Sequence, residues 1–241
     1  ETLNGMAERI QRLIATQKEL SSAISHELRT PIARMRFALE MLAEADVREE
    51  RERLWRMMEA DLDELDNLID SSLTYARFER EQPELQLSPT GFGPWLSEQV
   101  EDVRILGGKL AIDLDTTALP DDLSVALDRK SMPFAVRNLL RNAIKYAQSR
   151  IAVSAEVRDG LVRIHVDDDG IGIPEAEREN VFTAFTRLDR SRDRTTGGYG
   201  LGLAIARLVL ELHGGTATAH ASPLGGARFT LSWPAQPARR T

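Results

Sequence analysis

A histidine and a glutamate stand side by side in the stretch SHELRTP, at residues 25–31. A neutral imidazole can attack a phosphoryl group, and Glu27 can accept or orient the other ring proton of His26. A metal site is not favoured, because no second histidine or cysteine lies at ligand spacing. Pro31 removes the helical hydrogen bond to the carbonyl of residue 27, which predicts a deformation beside His26. The alternative is an inert surface histidine.

Two asparagines one turn apart occur in NLLRNAIKYA, at residues 138–147. Asn138 and Asn142 would share one helix face, and amide oxygens suit Mg²⁺, whose other ligands are usually waters and phosphate oxygens. Lys145 can meet phosphates, and Tyr146 can stack on a base. A surface helix that carries amides is the alternative.

A turn in VDDDGIGIP, at residues 166–174, follows a predicted strand. Asp169 could accept a hydrogen bond from an exocyclic amine, while Gly170 and Gly172 would let the backbone approach a ring. Many ordinary turns share this pattern, so it carries little weight alone.

A second glycine-rich segment, GGYGLGLAI, leads into a predicted helix. Gly198, Gly200 and Gly202 would expose backbone N–H groups that can bind phosphate. Neither the GxxxxGK[ST] loop nor the GxGxxG dinucleotide spacing is present. Phe182 and Phe185 could anchor the segment before it, whose polar remainder predicts either a mobile lid or a flexible charged loop. The basic residues of this segment are Arg187, Arg190, Arg192 and Arg194.

Two amphipathic helices must position His26. Apolar residues recur at three- and four-residue steps, and a polar turn at residues 45–48 predicts an antiparallel pair. His26 lies opposite the first stripe and so faces solvent, with Thr30 one turn later on nearly the same side. Two helices with one stripe each cannot enclose a core, which favours a symmetric dimer forming a four-helix bundle over packing on the same chain. The stripes are Leu20, Ile24, Leu28, Ile32, Met35, Leu39 and Leu42, then Leu54, Met58, Leu62, Leu65, Ile69 and Leu73.

The composition changes near Gln82, where prolines and glycines interrupt the helical pattern. Beyond it, alternating stretches predict strands and periodic stretches predict helices, which together indicate an α/β layer domain. The predicted strands are KLAIDL, LSVALD, RIAVSAEV, LVRIHVDD, TATAHA and ARFTLSW, and the predicted helices are residues 94–106, 131–148 and 203–212.

Bulk composition excludes several classes of protein. The 241 residues carry a net charge of −7, which disfavours a nucleic-acid partner. The absence of cysteine excludes disulfides and thiolate metal sites. No apolar run reaches the roughly 20 residues of a membrane span. The chain begins at Glu1 within a helical pattern, so we expect a piece of a longer protein.

Taken together, the motifs resemble a known family. SHELRTP, NLLRNAIKYA, DDGIGI, the FxxF pair and GYGLGLAI follow the order of the H, N, G1, F and G2 boxes of sensor histidine kinases, over most of residues 20–233. SRDRTTGGYGLGLAI, LTYAR and LGGARFTLSWP resemble the RstB subgroup in particular. The resemblance implies an α plus α/β architecture: a dimeric antiparallel helical hairpin, then a sandwich of the gyrase, heat-shock-90, histidine-kinase and MutL type.

The same resemblance implies domain limits. Residues 1–16 would be the remnant of a HAMP signalling helix, and 17–82 the dimerisation and phosphotransfer domain. Residues 83–235 would bind ATP, and 236–241 would be a tail.

It also implies residue roles. His26 would accept the phosphoryl group, Glu27 would be its proton partner, and Thr30 would position a water for dephosphorylation. For the nucleotide, Asn142 would bind Mg²⁺ with help from Asn138, whereas Lys145 and Arg187 would contact the phosphates. Tyr146 would stack on adenine, and Asp169 would hold the adenine amine. The residues that would shape the pocket are Gly170, Gly172, Gly198, Gly200, Leu201 and Gly202.

The function so implied is an ATP- and Mg²⁺-dependent autokinase that passes phosphate from His26 to an aspartate on the receiver domain of a response regulator, and also dephosphorylates it. The chain would be a homodimer and the cytoplasmic portion of a bacterial inner-membrane protein. One rival is an ATP-hydrolysing clamp, but such proteins carry a glutamate where this chain has Asn138. The other is a non-catalytic dimeric scaffold, against which the His26–Glu27 pair argues. The stimulus, the identity of the regulator and the choice between phosphorylation in cis and in trans stay open.

Overall fold

The computed structural model describes residues 2–44, 46–81, 83–187 and 198–236, with side chains of the first helix described from residue 21 onward. The chain divides into two compact units. Among the described residues, the first contains residues 2–73 with 198–199, and the second contains residues 74–187 with 200–236.

The first unit is built on two long helices. Helix α1 spans Thr2–Glu44 and helix α2 begins at Arg48 and ends at Glu81. Pro31 lies inside α1, where it is buried, and the helix continues through it. The proline has no N–H, so the carbonyl of Glu27 lacks its usual helical donor. The predicted hairpin is therefore present, and the proline perturbs α1 without ending it.

The apolar stripes of the hairpin are only partly buried. Ala38, Leu54 and Leu68 are shielded from solvent, but of these only Leu54 belongs to the predicted stripes, and five members of those stripes remain 44–65% exposed. The exposed members are Ile32, Leu39, Leu62, Ile69 and Leu73, and Trp55 is exposed beside them. Trp55, Leu62 and Ile69 recur at seven-residue spacing, which places them on one side of α2. One hairpin thus leaves an apolar face uncovered.

None of the helices in the described part of the chain is long and apolar enough to cross a membrane.

The second unit contains two sheets and three helices among its described residues. Strands β1 (Leu87–Gly91) and β3 (Ser124–Asp128) form an antiparallel pair. The larger sheet has the order β2-β4-β5-β7-β6, in which β2 and β4 run parallel and the other neighbours antiparallel. Its strands are β2 (Ala111–Asp115), β4 (Arg150–Arg158), β5 (Leu161–Asp168), β6 (Thr216–Ala221) and β7 (Ala227–Pro234), and the helices are α3 (Phe92–Arg104), α4 (Met132–Tyr146) and α5 (Gly202–Leu212).

The core of this unit lies between the large sheet and the helices. Alternate side chains of β4, β5 and β7 are buried, as expected when one face of a sheet is covered. Helices α4 and α5 pack against each other and each contacts the sheet. The buried strand residues include Ile151, Val153, Ala155, Val162, Ile164, Val166, Phe229, Leu231 and Trp233.

The sequence-based prediction of this α/β layer was confirmed for six strands and three helices, and it missed one strand. Strand β1 has the sequence LSPTG, whose proline and glycine predict a turn. It pairs only with β3, so a proline at this edge costs little. Helix α3 begins at Phe92, two residues before the predicted start, because Phe92 is buried against Trp95 and Trp233.

The second unit also includes the last turns of α2, from Thr74 onward. Phe78 is 2% exposed and its ring meets that of Phe134 edge-on, with centroids 5.9 Å apart. Tyr75 is buried as well, and its burial raises the pKa of its hydroxyl. The boundary between the two units therefore lies within α2, before the change in composition near Gln82 that the sequence showed.

A neutral histidine ties α5 to β3. His213 accepts a hydrogen bond at Nε2 from the backbone N–H of Asp128 (3.1 Å), and its Nδ1 lies 2.7 Å from the carbonyl of Val209. The proton must therefore be on Nδ1. Burial lowers the pKa of His213, outweighing the opposing effects of the Val209 carbonyl and Asp128.

This arrangement predicts pH-dependent stability. Because the folded-state pKa of His213 is depressed, its contribution is complete above the unfolded value of about 6.5 and declines as the pH falls toward the folded value. Between pH 7.5 and 5.5 the free energy of unfolding should fall, and His213→Gln should reduce that fall by on the order of 1 kcal/mol. Urea titrations followed by tryptophan fluorescence measure it. His220→Gln, at an exposed histidine, is the control, and an equal pH dependence in all three proteins would contradict the prediction.

Candidate functional site

His26 is displayed on the surface of the hairpin. Its side chain is 70% exposed, and Nδ1 lies 3.3 Å from Oε1 of Glu27. A proton on Nδ1 shared with Glu27 leaves the lone pair of Nε2 free to act as a nucleophile. The exposure agrees with the helical-stripe prediction. Thr30, which was predicted to face solvent with His26, is half-buried.

Helix α4 carries the predicted metal and phosphate residues of the second unit. Asn138 and Asn142 are half-buried one turn apart, and among the described residues the Asn142 amide has no hydrogen-bond partner. The Lys145 ammonium lies 4.7 Å from the ring centroid of Tyr146. Helix α4 thus brings together an uncommitted amide, a cation and an aromatic ring.

The first turn of α5 approaches this same face of α4. A Cβ placed on Gly202 would lie 3.0 Å from Oδ1 of Asn138, so a larger side chain would press on the asparagine. Leu201, the residue before the helix, is 1% exposed and anchors the turn. The glycine therefore lets the N-terminus of α5 lie directly against α4.

The turn after β5 distinguishes two neighbouring aspartates. Asp169 was predicted to hold an exocyclic amine, but its carboxylate accepts from the backbone N–H groups of Gln148, Ser149 and Arg150 and from the Ser149 hydroxyl, at 2.5–3.1 Å. These bonds hold its pKa well below the usual range. Both oxygens are thus committed to closing the loop between α4 and β4, and geometry argues against the assignment to Asp169.

Asp168 is the better candidate for that role. It is 1% exposed, and burial raises its pKa although its Oδ1 accepts from the N–H groups of Gly170 (2.9 Å) and Ala227 (3.1 Å). Within the described residues its Oδ2 accepts no hydrogen bond, which leaves one oxygen for an amine. The DxGxG pattern begins at Asp168, so the sequence spacing also points to Asp168, but the run of three aspartates obscures it.

Glycines make room for Asp168. A Cβ on Gly226 would lie 2.2 Å from its Oδ1, and one on Gly170 would lie 2.2 Å from the carbonyl oxygen of Tyr146. Gly226 was not among the predicted site residues, although the GG pair in LGGARF marks a tight turn. Gly172 has a φ of +68°, a conformation that favours glycine.

The segment before α5 is described at its two ends. The N–H of Phe185 donates to the carbonyl of Gly200 (3.0 Å), and Gly200 has a φ of +73°. A Cβ on Gly200 would lie 2.8 Å from the carbonyl of Thr186. Gly198 also has positive φ, and Arg187 is half-buried. The predicted lid residues Arg190, Arg192 and Arg194 lie outside the described residues.

Comparisons with known proteins identify the families to which the two parts of the chain are similar. Residues 16–81 match the His Kinase A (phospho-acceptor) domain, and residues 128–237 match the histidine kinase-, DNA gyrase B- and HSP90-like ATPase domain. The sensor protein RstB of Escherichia coli K12 is 41% identical over 96% of this chain and 52% of its own length. The chain spans about half the length of the curated relatives it matches.

Solved structures are also similar to this chain. The ATP-binding domain of PrrB from Mycobacterium tuberculosis is 30% identical, with 63% of this chain and 98% of that one covered and a TM-score of 0.51. Full-length ShkA in complex with AMPPNP is 26% identical, with 92% of this chain and 46% of that one covered and a TM-score of 0.67. A histidine-bearing helical hairpin followed by an α/β ATPase-type unit defines a histidine kinase core. The chain belongs to the sensor histidine kinases.

The two aspartates after β5 provide a test of the site. If Asp168 accepts an amine of the ligand, Asp168→Asn should lower affinity for an ATP analogue at least tenfold, because the oxygen without a donor becomes an amide nitrogen while Gly170 and Ala227 hold the other oxygen. Asp169→Asn should lower the free energy of unfolding, because it weakens the bonds that close the loop between α4 and β4, and should change analogue affinity far less. Titration calorimetry and urea unfolding measure both quantities. The reverse ranking of affinities would restore the assignment to Asp169.

Proposed function

We propose that this chain phosphorylates itself on His26, using Mg²⁺-ATP bound by the second unit. The observation that carries the proposal is the exposed His26, with Nδ1 3.3 Å from the Glu27 carboxylate, in a chain that belongs to the sensor histidine kinases. An exposed histidine alone would be unremarkable chemically. Its pairing with an acid and an ATPase-type domain gives it a phosphoryl donor.

The reaction follows from the residues of the hairpin. Nε2 of His26 attacks the γ-phosphorus of ATP, the bond between that phosphorus and the β–γ bridging oxygen breaks, and ADP leaves. Glu27 accepts the Nδ1 proton or holds it while positive charge develops on the ring. The product is a phosphoramidate, which should be acid-labile and base-stable.

The residues of the second unit suit Mg²⁺-ATP. Asn142, with an uncommitted amide, would hold the metal with help from Asn138, and the metal would supply charge neutralisation at the phosphates. Lys145 and Arg187 would contact phosphate oxygens, and Tyr146 would stack on adenine. Asp168, in place of Asp169, would accept the adenine amine. Four of the predicted glycines, Gly170, Gly172, Gly200 and Gly202, would shape the pocket with Leu201, whereas Gly198 is grouped with the first unit.

We also propose that the hairpin forms a homodimer. Trp55, Leu62 and Ile69 are exposed at seven-residue spacing, over about four turns of α2. A second hairpin would bury them in a four-helix bundle, since each copy presents the same surface. The dimerisation domain would be residues 17–82 and the ATP-binding domain residues 83–235, with residues 1–16 contributed by a preceding HAMP helix.

The partner would be the receiver domain of a response regulator. Phosphotransfer to its aspartate needs the exposed His26, and hydrolysis of the aspartyl phosphate needs a positioned water, which the Thr30 hydroxyl can orient. The chain would be the cytoplasmic portion of a bacterial inner-membrane sensor. Hydrolysis of ATP in a clamp is less favoured, since Asn138 stands where those ATPases use a glutamate.

The phospho-acceptor is tested directly. His26→Ala should abolish labelling from γ-labelled ATP, while analogue affinity stays within about twofold, because other residues hold the nucleotide. His220→Ala, which removes another exposed histidine, should label like the unsubstituted chain. Label that persists on the His26 variant at the normal rate would refute the proposal.

Thr30 separates transfer from dephosphorylation. Thr30→Ala keeps helix propensity and should leave labelling and transfer largely intact, but slow dephosphorylation of the receiver by roughly tenfold. Decay of the phosphorylated receiver is followed with ADP or a non-hydrolysable nucleotide present. Thr30→Arg should impair docking and lower both activities. Equal decay with the unsubstituted and Thr30→Ala chains would remove Thr30 from the mechanism.

A further inference from the structure

An ion cluster joins the two helices of the hairpin. Nη2 of Arg34, on α1, lies 2.5 Å from Oδ1 of Asp61 on α2, and it also contacts Oε2 of Glu64. Asp61 is 4% exposed, whereas Glu64 is half-buried. One guanidinium nitrogen is therefore shared by two carboxylates that lie one turn apart on α2.

Asp61 occupies a position where an apolar residue would be expected. Leu54, Asp61 and Leu68 recur at seven-residue spacing, and all three are buried. A buried ion pair is often no more stabilising than the apolar residues that could replace it, and the best-attested role of buried polar groups between helices is to fix register. The cluster is thus poorly explained by stability alone.

The pairing is also incomplete. Arg34 Nε and Asp61 Oδ2 are both buried, and neither has a hydrogen-bond partner in the described part of the chain. Arginine and a carboxylate often form a bidentate pair with two parallel hydrogen bonds, and here only one of the two is made.

The cluster is close to the phospho-acceptor along the same helix. Arg34 follows His26 by eight residues, about 12 Å along the axis. Pro31 lies between them and deprives the Glu27 carbonyl of its helical donor. Arg34 thus lies on the C-terminal side of this turn and joins it to α2 through Asp61 and Glu64.

We propose that Arg34, Asp61 and Glu64 form a positioning element that fixes the rotational register of the His26-bearing helix against α2. The proposal rests on the autokinase function for its kinetic consequence. Arg34 and Asp61 act through the helix and touch neither nucleotide nor the reacting nitrogen. Their replacement by apolar residues should change the rate of the chemical step without changing nucleotide binding.

The test is the double variant Arg34→Met, Asp61→Leu. Its melting temperature should equal or exceed that of the unsubstituted chain, since an apolar pair replaces a buried ion pair. The kcat for His26 labelling should fall roughly tenfold while KM for ATP changes less than about twofold. The matched control is Arg48→Met, Glu52→Leu, which removes an exposed ion pair of 2.8 Å in the same hairpin and should leave kcat unchanged.

A second measurement does not depend on activity. The chain has no cysteine, so spin labels can be placed at Ser25→Cys and Asp70→Cys, two exposed positions on α1 and α2. Labelled chain diluted with excess unlabelled chain should give one narrow distance distribution, which should shift or broaden in the Arg34→Met, Asp61→Leu variant. If the unsubstituted chain labelled no histidine, the autokinase proposal would fail, and the distances would still decide the register.

If the double variant does not fold, Asp61→Asn and its exposed counterpart Asp63→Asn replace it. Only Asp61→Asn should broaden the distances and lower kcat, and Arg34→Lys, which keeps the charge, should retain more activity than Arg34→Met. Unchanged distances in the folded variant would overturn the proposal. A shifted distribution with an unchanged kcat, in a chain that labels His26, would overturn it equally.

Discussion

The nucleotide-binding unit depends on a steric constraint at the end of β5. Asp168, Gly170 and Gly226 approach so closely that a single added methyl at either glycine would lie 2.2 Å from a neighbouring oxygen. This close packing buries the Asp168 carboxylate, raises its pKa and leaves only one of its oxygens without a donor in the described structure. Asp169 then closes the loop between α4 and β4, so that the end of α4 is fixed beside the turn. Adjacent aspartates thus have opposite pKa shifts because one is buried and the other is surrounded by backbone N–H groups.

The hairpin is governed by another constraint, the apolar surface that a single copy leaves exposed. One hairpin buries Leu54 and Leu68 but leaves other apolar residues exposed, and we propose that a second copy covers them. The residues that one hairpin leaves exposed are those expected to meet that copy. His26 is exposed on α1, and Pro31 and Arg34 follow it on the same helix.

Local patterns predicted much of the architecture. Alternation in β4, β5 and β7 and the three-to-four periodicity of α4 and α5 follow from which faces are buried, so they are visible in the sequence. Strand β1 was missed because its proline is tolerated only at a sheet edge, and edge position is a property of the assembled sheet. Packing of Phe78 on Phe134 likewise assigns the last turns of α2 to the second unit, although helical periodicity continues through them.

The sequence by itself determined the order of the motifs, the exposure of His26 and the placement of Asn138, Asn142, Lys145 and Tyr146 on one helix, since these follow from residue type and helical spacing. The DxGxG spacing marks Asp168, but only the tertiary structure shows which aspartate keeps an oxygen without a donor among the described residues, because three residues in a row share the same chemistry and differ in what surrounds them. It also revealed Gly226 and the Arg34–Asp61–Glu64 cluster, in which Arg34 lies 27 and 30 residues from its two partners. Such contacts join segments that are far apart in sequence, so local sequence patterns do not predict them.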